Sequence, residues 1–123
     1  MIGYATIGTN DLERATKFYD AVLTPLGGRR TFANGERMQF YGCKDTPGMI
    51  AISKPYDEQP ASFGNGTMFG FPAATKEQVD ATHAAALAAG GTCDGAPGQR
   101  LPTFYGAYFR DLDGNKVCIF KMG

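Results

Sequence analysis

Residues able to do chemistry are few in this 123-residue chain, and they lie far apart. There is one histidine, His83, inside the run DATHAAALAAGG. Three cysteines stand at positions 43, 93 and 118, with no CxxC pair among them. With one imidazole, any Ser–His or Cys–His nucleophile pair would have to be built on His83. His83 follows Val79 by four residues and so borders an apolar helical stripe, the place of a boundary residue and not of a general base. Acyl transfer of the triad type is therefore not expected. The thiols read as small buried hydrophobes in a reducing compartment. Asp111 and Asp113 occur in DLDGN without EF-hand spacing or a following Glu, so the segment reads as a turn and not as a Ca²⁺ loop.

The elements that must carry these residues follow from periodicity. Tyr4 to Gly8 alternates as a strand, with Ala5 and Ile7 on one face. Asn10 and Glu13 then stand as N-cap and N3 of a helix whose apolar stripe is Leu12, Ala15, Phe18, Tyr19, Val22 and Leu23. Pro25 and Gly27-Gly28 end it. Strands are expected at Arg29 to Ala33 and Glu36 to Tyr41, around a two-residue Asn34-Gly35 hairpin, and at Met49 to Lys54. The second half repeats the pattern. It has a strand at Thr67 to Pro72, a helix capped by Thr75 and Gln78 that runs to Gly90-Gly91, and a short strand at Thr92-Cys93. A Pro/Gly loop leads on to Pro102, and strands follow at Phe104 to Arg110 and Lys116 to Met122. The order βαβββ occurs twice. The expectation is one α+β domain over residues 1–123, with module 1 at about 1–55, a linker at 56–66 and module 2 at about 67–123. The two modules would form a curved mixed sheet with the helices, near 10–24 and 75–89, on its convex face.

Composition narrows the function classes. Twelve basic residues balance twelve acidic ones, so no net field draws the chain to nucleic acid or to an anionic membrane. No apolar run reaches the roughly 20 residues of a membrane span, and the N-terminus lacks a signal-peptide pattern. A cytoplasmic setting is the expectation.

Four stretches, ATIGTNDLERATKFYDAVL, GTMFGFPAATKEQVDATHAAALAAGG, APGQR and YGAYFRDLDGNKVCIF, carry a resemblance. The chain resembles the vicinal-oxygen-chelate superfamily, the glyoxalase, bleomycin-resistance and extradiol-dioxygenase group. That resemblance implies paired βαβββ modules and commonly a homodimer. It also implies four metal-ligand positions, a His or similar on the first strand of each module and a Glu or similar on the last. In this sequence those positions hold Tyr4, Ala51, Met68 and Cys118, and neighbours one residue away offer no hard ligand either. A phenol, a methyl, a thioether and a thiol do not supply the imidazole and carboxylate donors that Ni²⁺, Fe²⁺, Zn²⁺ or Mn²⁺ require. No metal and no other cofactor is expected.

Strand alternation assigns Ala5, Ile7, Ile50, Ile52, Phe69, Phe71, Val117 and Ile119 to the helix-facing side. The alternates then face the concavity. For the middle strand, either Arg37, Gln39 and Tyr41 or Met38 and Phe40 do so. The expected ligand-binding set is Tyr4, Arg37, Met49, Ala51, Met68, Tyr105, Tyr108 and Cys118, an apolar and aromatic lining with hydroxyls and a few cations. It suits a small organic molecule. The reading is a metal-free, homodimeric small-molecule-binding member of the superfamily. The alternative is a lactoylglutathione lyase-like lyase or a dioxygenase with a rebuilt metal site or metal-free acid–base chemistry.

Overall fold

A computed structural model describes all residues, Met1–Gly123. Module 1 runs β1 (Tyr4–Gly8), α1 (Leu12–Leu23), a 3₁₀ turn (Thr24–Leu26), β2 (Gly28–Asn34), β3 (Met38–Cys43) and β4 (Met49–Ser53). Module 2 runs β5 (Phe69–Pro72), α2 (Lys76–Ala88), β6 (Thr92–Leu101), β7 (Phe104–Arg110) and β8 (Lys116–Met122). The doubled βαβββ order is therefore present. Each module forms its own four-stranded mixed sheet, in the orders β1-β4-β3-β2 and β5-β8-β7-β6. In both, the first and last strands pair in parallel, with Thr6 opposite Ala51 and Gly70 opposite Cys118. Strands β1 and β5 do not pair with each other, so each leaves one edge free.

Both helices lie against one side of the sheets. Phe18, Tyr19 and Val22 from α1 and Val79 and Ala86 from α2 share one buried cluster with Ile7, Ile52, Phe109, Val117 and Ile119. Burying each large side chain of this set contributes about 1.5–3 kcal/mol, and that burial holds the two modules as one body. The expected helix-facing set is thus correct for the edge and last strands.

Several local expectations change. Asp11, not Asn10, caps α1 and accepts from Arg14 N. The Asn10 side chain is drawn away because its Oδ1 accepts the Ala61 amide at 2.7 Å. Thr75 caps α2 as expected, and Gln78 reaches back to the Ala74 amide. Asn34 pairs with Met38, so the hairpin loop takes Gly35, Glu36 and Arg37, with Gly35 at φ +60°. The segment from Thr92 to Leu101 is one long strand, not a short strand and a loop. Its register slips at Gly95 and again before Leu101, so β6 pairs with β7 despite its Gly and Pro content. Middle-strand register is resolved in favour of Met38 and Phe40 on the open face, since Tyr41 turns to α1 and donates to the Thr16 carbonyl and to Asp20.

Candidate functional site

The face of each sheet that no helix covers is aromatic. On the first sheet Tyr4 meets Phe40 edge-on at 5.2 Å, and Phe32 lies 5.5 Å from Phe40 on the other side. Tyr4 is 56% exposed and Phe32 60%, although both rest on a sheet. Beneath them Ala51 is fully buried. On the second sheet Phe104 and Phe120 stack at 5.4 Å, and Tyr108 stands across from Cys118. Arg100 and Lys116 each lie over the Tyr108 ring, at 5.5 and 5.4 Å. Burial pushes the Tyr108 hydroxyl up, and the nearby Cys118 adds to it. Burial also pushes the Cys118 thiol up, outweighing Tyr108 and the cations that favour its thiolate. Neither group is therefore a ready anion at neutral pH.

Pairing puts Tyr4 and Ala51 on one face of adjacent strands in the first sheet, while Cys118 and the residue before β5, Met68, hold the equivalent places in the second. This is where a family metal would sit, and the donors do not fit one. The set offers an exposed phenol, a methyl group, a thioether and a thiol held protonated. Nowhere do three or more His, Cys, Asp or Glu side chains gather as a metal would need.

The expected ligand-binding residues divide. Tyr4, Ala51, Tyr108 and Cys118 lie on the open faces. Tyr105 does not belong there. Alternation along β7 turns it to the helices, where its hydroxyl donates to Asp80 Oδ1 at 2.6 Å, and Asp80 correspondingly raises its pKa. Arg37 sits at the loop between β2 and β3, its guanidinium 5.4 Å from the Tyr56 ring, beside the linker. Met49 alternates with Ile50 and so shares the open face of Tyr4 and Ala51, and Met68 has the matching place just before β5; both also border a cleft of about 810 Å³ lined with Ala5, Tyr41, Ile50, Phe69 and Phe71. That cleft is mostly apolar, with Tyr41, Cys43 and Lys44 on its wall and no carboxylate or imidazole, and the aromatic open faces remain the candidate site. His83 is buried in α2 and takes no part.

One constellation escaped the sequence reading. The DLDGN turn joins the modules. Asp113 Oδ2 accepts from Thr9 Oγ1 at 2.6 Å, and its Oδ1 accepts from the Asn10 amide and Arg14 Nη2. Asp111 Oδ2 accepts from Tyr19 OH at 2.6 Å and from Asn115 Nδ2, which also donates to the Gly8 carbonyl. The Asp111 Oδ1 accepts the Asp113 and Asn115 amides. Protein donors thus fill these carboxylates, as the turn reading expects and a Ca²⁺ loop would not. The sequence offered only the separate parts, a polar helix cap after β1 and the DLDGN turn near the far end of the chain, and nothing that paired them.

Fold and side chains together define a doubled-βαβββ protein whose open sheet faces are aromatic. The family model of the Glyoxalase/Bleomycin resistance protein/Dioxygenase superfamily matches residues 1–119, and the chain belongs to that superfamily. A glyoxalase/bleomycin resistance protein from Albidiferax ferrireducens is 44% identical with a TM-score of 0.91, over 100% of this chain and 99% of that one. A family enzyme from Burkholderia phytofirmans aligns at 22% identity and TM-score 0.77, covering 98% of each chain. A lactoylglutathione lyase from Agrobacterium tumefaciens aligns at 23% and 0.71, covering 98% and 92%. The latter two likenesses are of fold. No curated protein matches the chain.

Proposed function

We propose that this chain is a metal-independent binding protein for a small organic molecule, which lies against the open sheet faces and is enclosed by a second copy of the chain. The observation that carries the reading is the exchange at the four family positions. Tyr4, Ala51, Met68 and Cys118 replace hard ligands, while aromatic side chains cover the same faces. Tyr4, Phe32, Leu101 and Met122, all large, apolar and more than half exposed, lie on these faces. Apolar surface in such a concentration marks a ligand or partner site. Free edges on β1 and β5 add unpaired backbone that a partner copy would cover. The three free thiols suit a reducing, cytoplasmic setting. Likeness to a lactoylglutathione lyase is one of fold and brings no reaction with it.

Elemental analysis of protein purified without chelator, repeated on Tyr4→Phe and Cys118→Ala, tests the metal-independent part. Near-zero occupancy is expected. Near-stoichiometric Ni, Fe, Zn or Mn that disappears in either variant would overturn it. A thermal-shift screen against small metabolites, with turnover assays on each hit, separates a binder from an enzyme. Light scattering is expected to give twice the 13.2 kDa chain mass.

A further inference from the structure

The open face of the second sheet has a flat floor. A Cβ added at Gly106 would lie 2.7 Å from Phe104 Cε1, and one at Gly98 would lie 2.7 Å from Arg100 Nη1. A Cβ at Gly70 would come within 3.4 Å of Phe120 Cε1. Gly106 and Gly98 must be bare for the Phe104 ring and the guanidinium to lie down across the strands, whereas the Phe120 ring passes Gly70 at ordinary contact distance. Phe104 and Phe120 stack nearly parallel, 11° apart, and both are half-buried, so together they leave a partly exposed apolar surface. Their stacking and their low side-chain entropy make that surface a ready platform for another aromatic plane.

Charge gathers at one end of this floor. Arg100 lies over Tyr108 and donates to the Ala96 carbonyl, and it has no carboxylate partner. Lys116 lies over the same ring and shares Asp94 with Arg110, at 3.5 and 3.1 Å. Two cations thus share one carboxylate, and Arg100 beside them has none. An arginine fixed in place by a ring and a backbone carbonyl, with donors left over, is a preformed receptor for a planar anion.

Resting on the small-molecule reading above, we infer that the ligand is a planar aromatic carboxylate, its ring laid on Phe104 and Phe120 and its carboxylate held by Arg100 and Lys116. Apolar area and charge are then used at separate ends of the same molecule. An aromatic amide of the same shape keeps the stacking and loses the ion pair. A positively charged analogue would be repelled.

The test uses 2-naphthoate and 2-naphthamide, titrated into the full chain at low salt and followed by probe fluorescence. Naphthoate is expected to bind about tenfold more tightly or better, as one charge-assisted bidentate contact implies. Arg100→Gln should erase that preference and leave amide affinity in place, and Arg100→Lys should restore part of it. Gly106→Val, which displaces the Phe104 ring, should weaken both probes alike; melting curves check that each variant is folded. Equal affinity for acid and amide in the native protein, or a preference that survives Arg100→Gln, overturns the anion assignment and leaves the small-molecule reading standing. Failure of both probes to bind overturns the aromatic assignment, and the metabolite screen then decides the broader reading on its own.

Discussion

Replacing Asp111 with alanine should loosen the joint between the modules more than any other single truncation in the turn. Asp111 is 7% exposed, and the Tyr19 hydroxyl and the Asn115 side chain that it receives are 1% and 5% exposed. Loss of the carboxylate strands the Tyr19 hydroxyl and two backbone amides in a dry setting and leaves the Asn115 side chain only its bond to the Gly8 carbonyl. At about 1–3 kcal/mol for each buried donor left unpaired, with partial rescue by water at the turn, the expected loss is ~3–4 kcal/mol. At about 2.1 cal/mol/K of unfolding entropy per residue, each kcal/mol lowers the melting temperature of a chain this size by about 4 °C, so the fall should be ~12–15 °C. Tyr19→Phe removes one donor and leaves Asp111 its other partners, for a fall of roughly 4–6 °C. Calorimetry or circular dichroism on both variants and on the double variant checks this. The double variant should cost less than the two singles together, because they share one bond. A fall under about 4 °C for Asp111→Ala, or strict additivity, would refute the claim that this network ties the modules.

Three further outcomes are expected. Burial holds the His83 imidazole below its ordinary value, only partly offset by the Tyr108 backbone and Asp80. The folded chain therefore binds that proton less readily than the unfolded one, and stability should rise with pH up to about 6.5 and level off above it. As His83 is the only histidine, an NMR titration reads it without ambiguity, and a midpoint at or above 6.5 would contradict this. Hydrogen bonds from Arg30 hold Asp20 below the usual carboxylate range. Its contribution is complete above the unfolded value of about 3.9 and is lost as pH falls through the lower folded one; with both side chains nearly half exposed it amounts to at most about 1 kcal/mol. Arg30→Gln should accordingly bring acid unfolding to a slightly higher pH, as acid titration of the far-UV signal would show. With a thiol reagent, exposed Cys93 should react at once, half-buried Cys43 more slowly and buried Cys118 only after unfolding, and rapid modification of Cys118 in the native protein would contradict its burial.

The sequence by itself determined the doubled βαβββ order and most element boundaries, because caps, strand alternation and apolar stripes are local patterns with fixed periods. Strands β7 and β8 have the expected limits, and the helix-facing set Ile7, Ile52, Val117 and Ile119 is buried as alternation requires. It also puts a phenol, a methyl, a thioether and a thiol at the positions where the resemblance implies metal ligands. Tertiary structure decided the rest. Asn10 loses the cap to Asp11 because its side chain is claimed by Ala61, fifty-one residues away. β6 becomes a full strand because β7 offers it a partner, which outweighs its poor intrinsic preference. Tyr105 and Tyr108 look alike in sequence, yet one bonds to Asp80 and the other lies under Arg100 and Lys116. DLDGN reads as a turn, and only its meeting with Thr9, Arg14 and Tyr19 makes it the joint between modules. Such contacts join residues about a hundred positions apart, and no local pattern encodes which distant donors a carboxylate will meet.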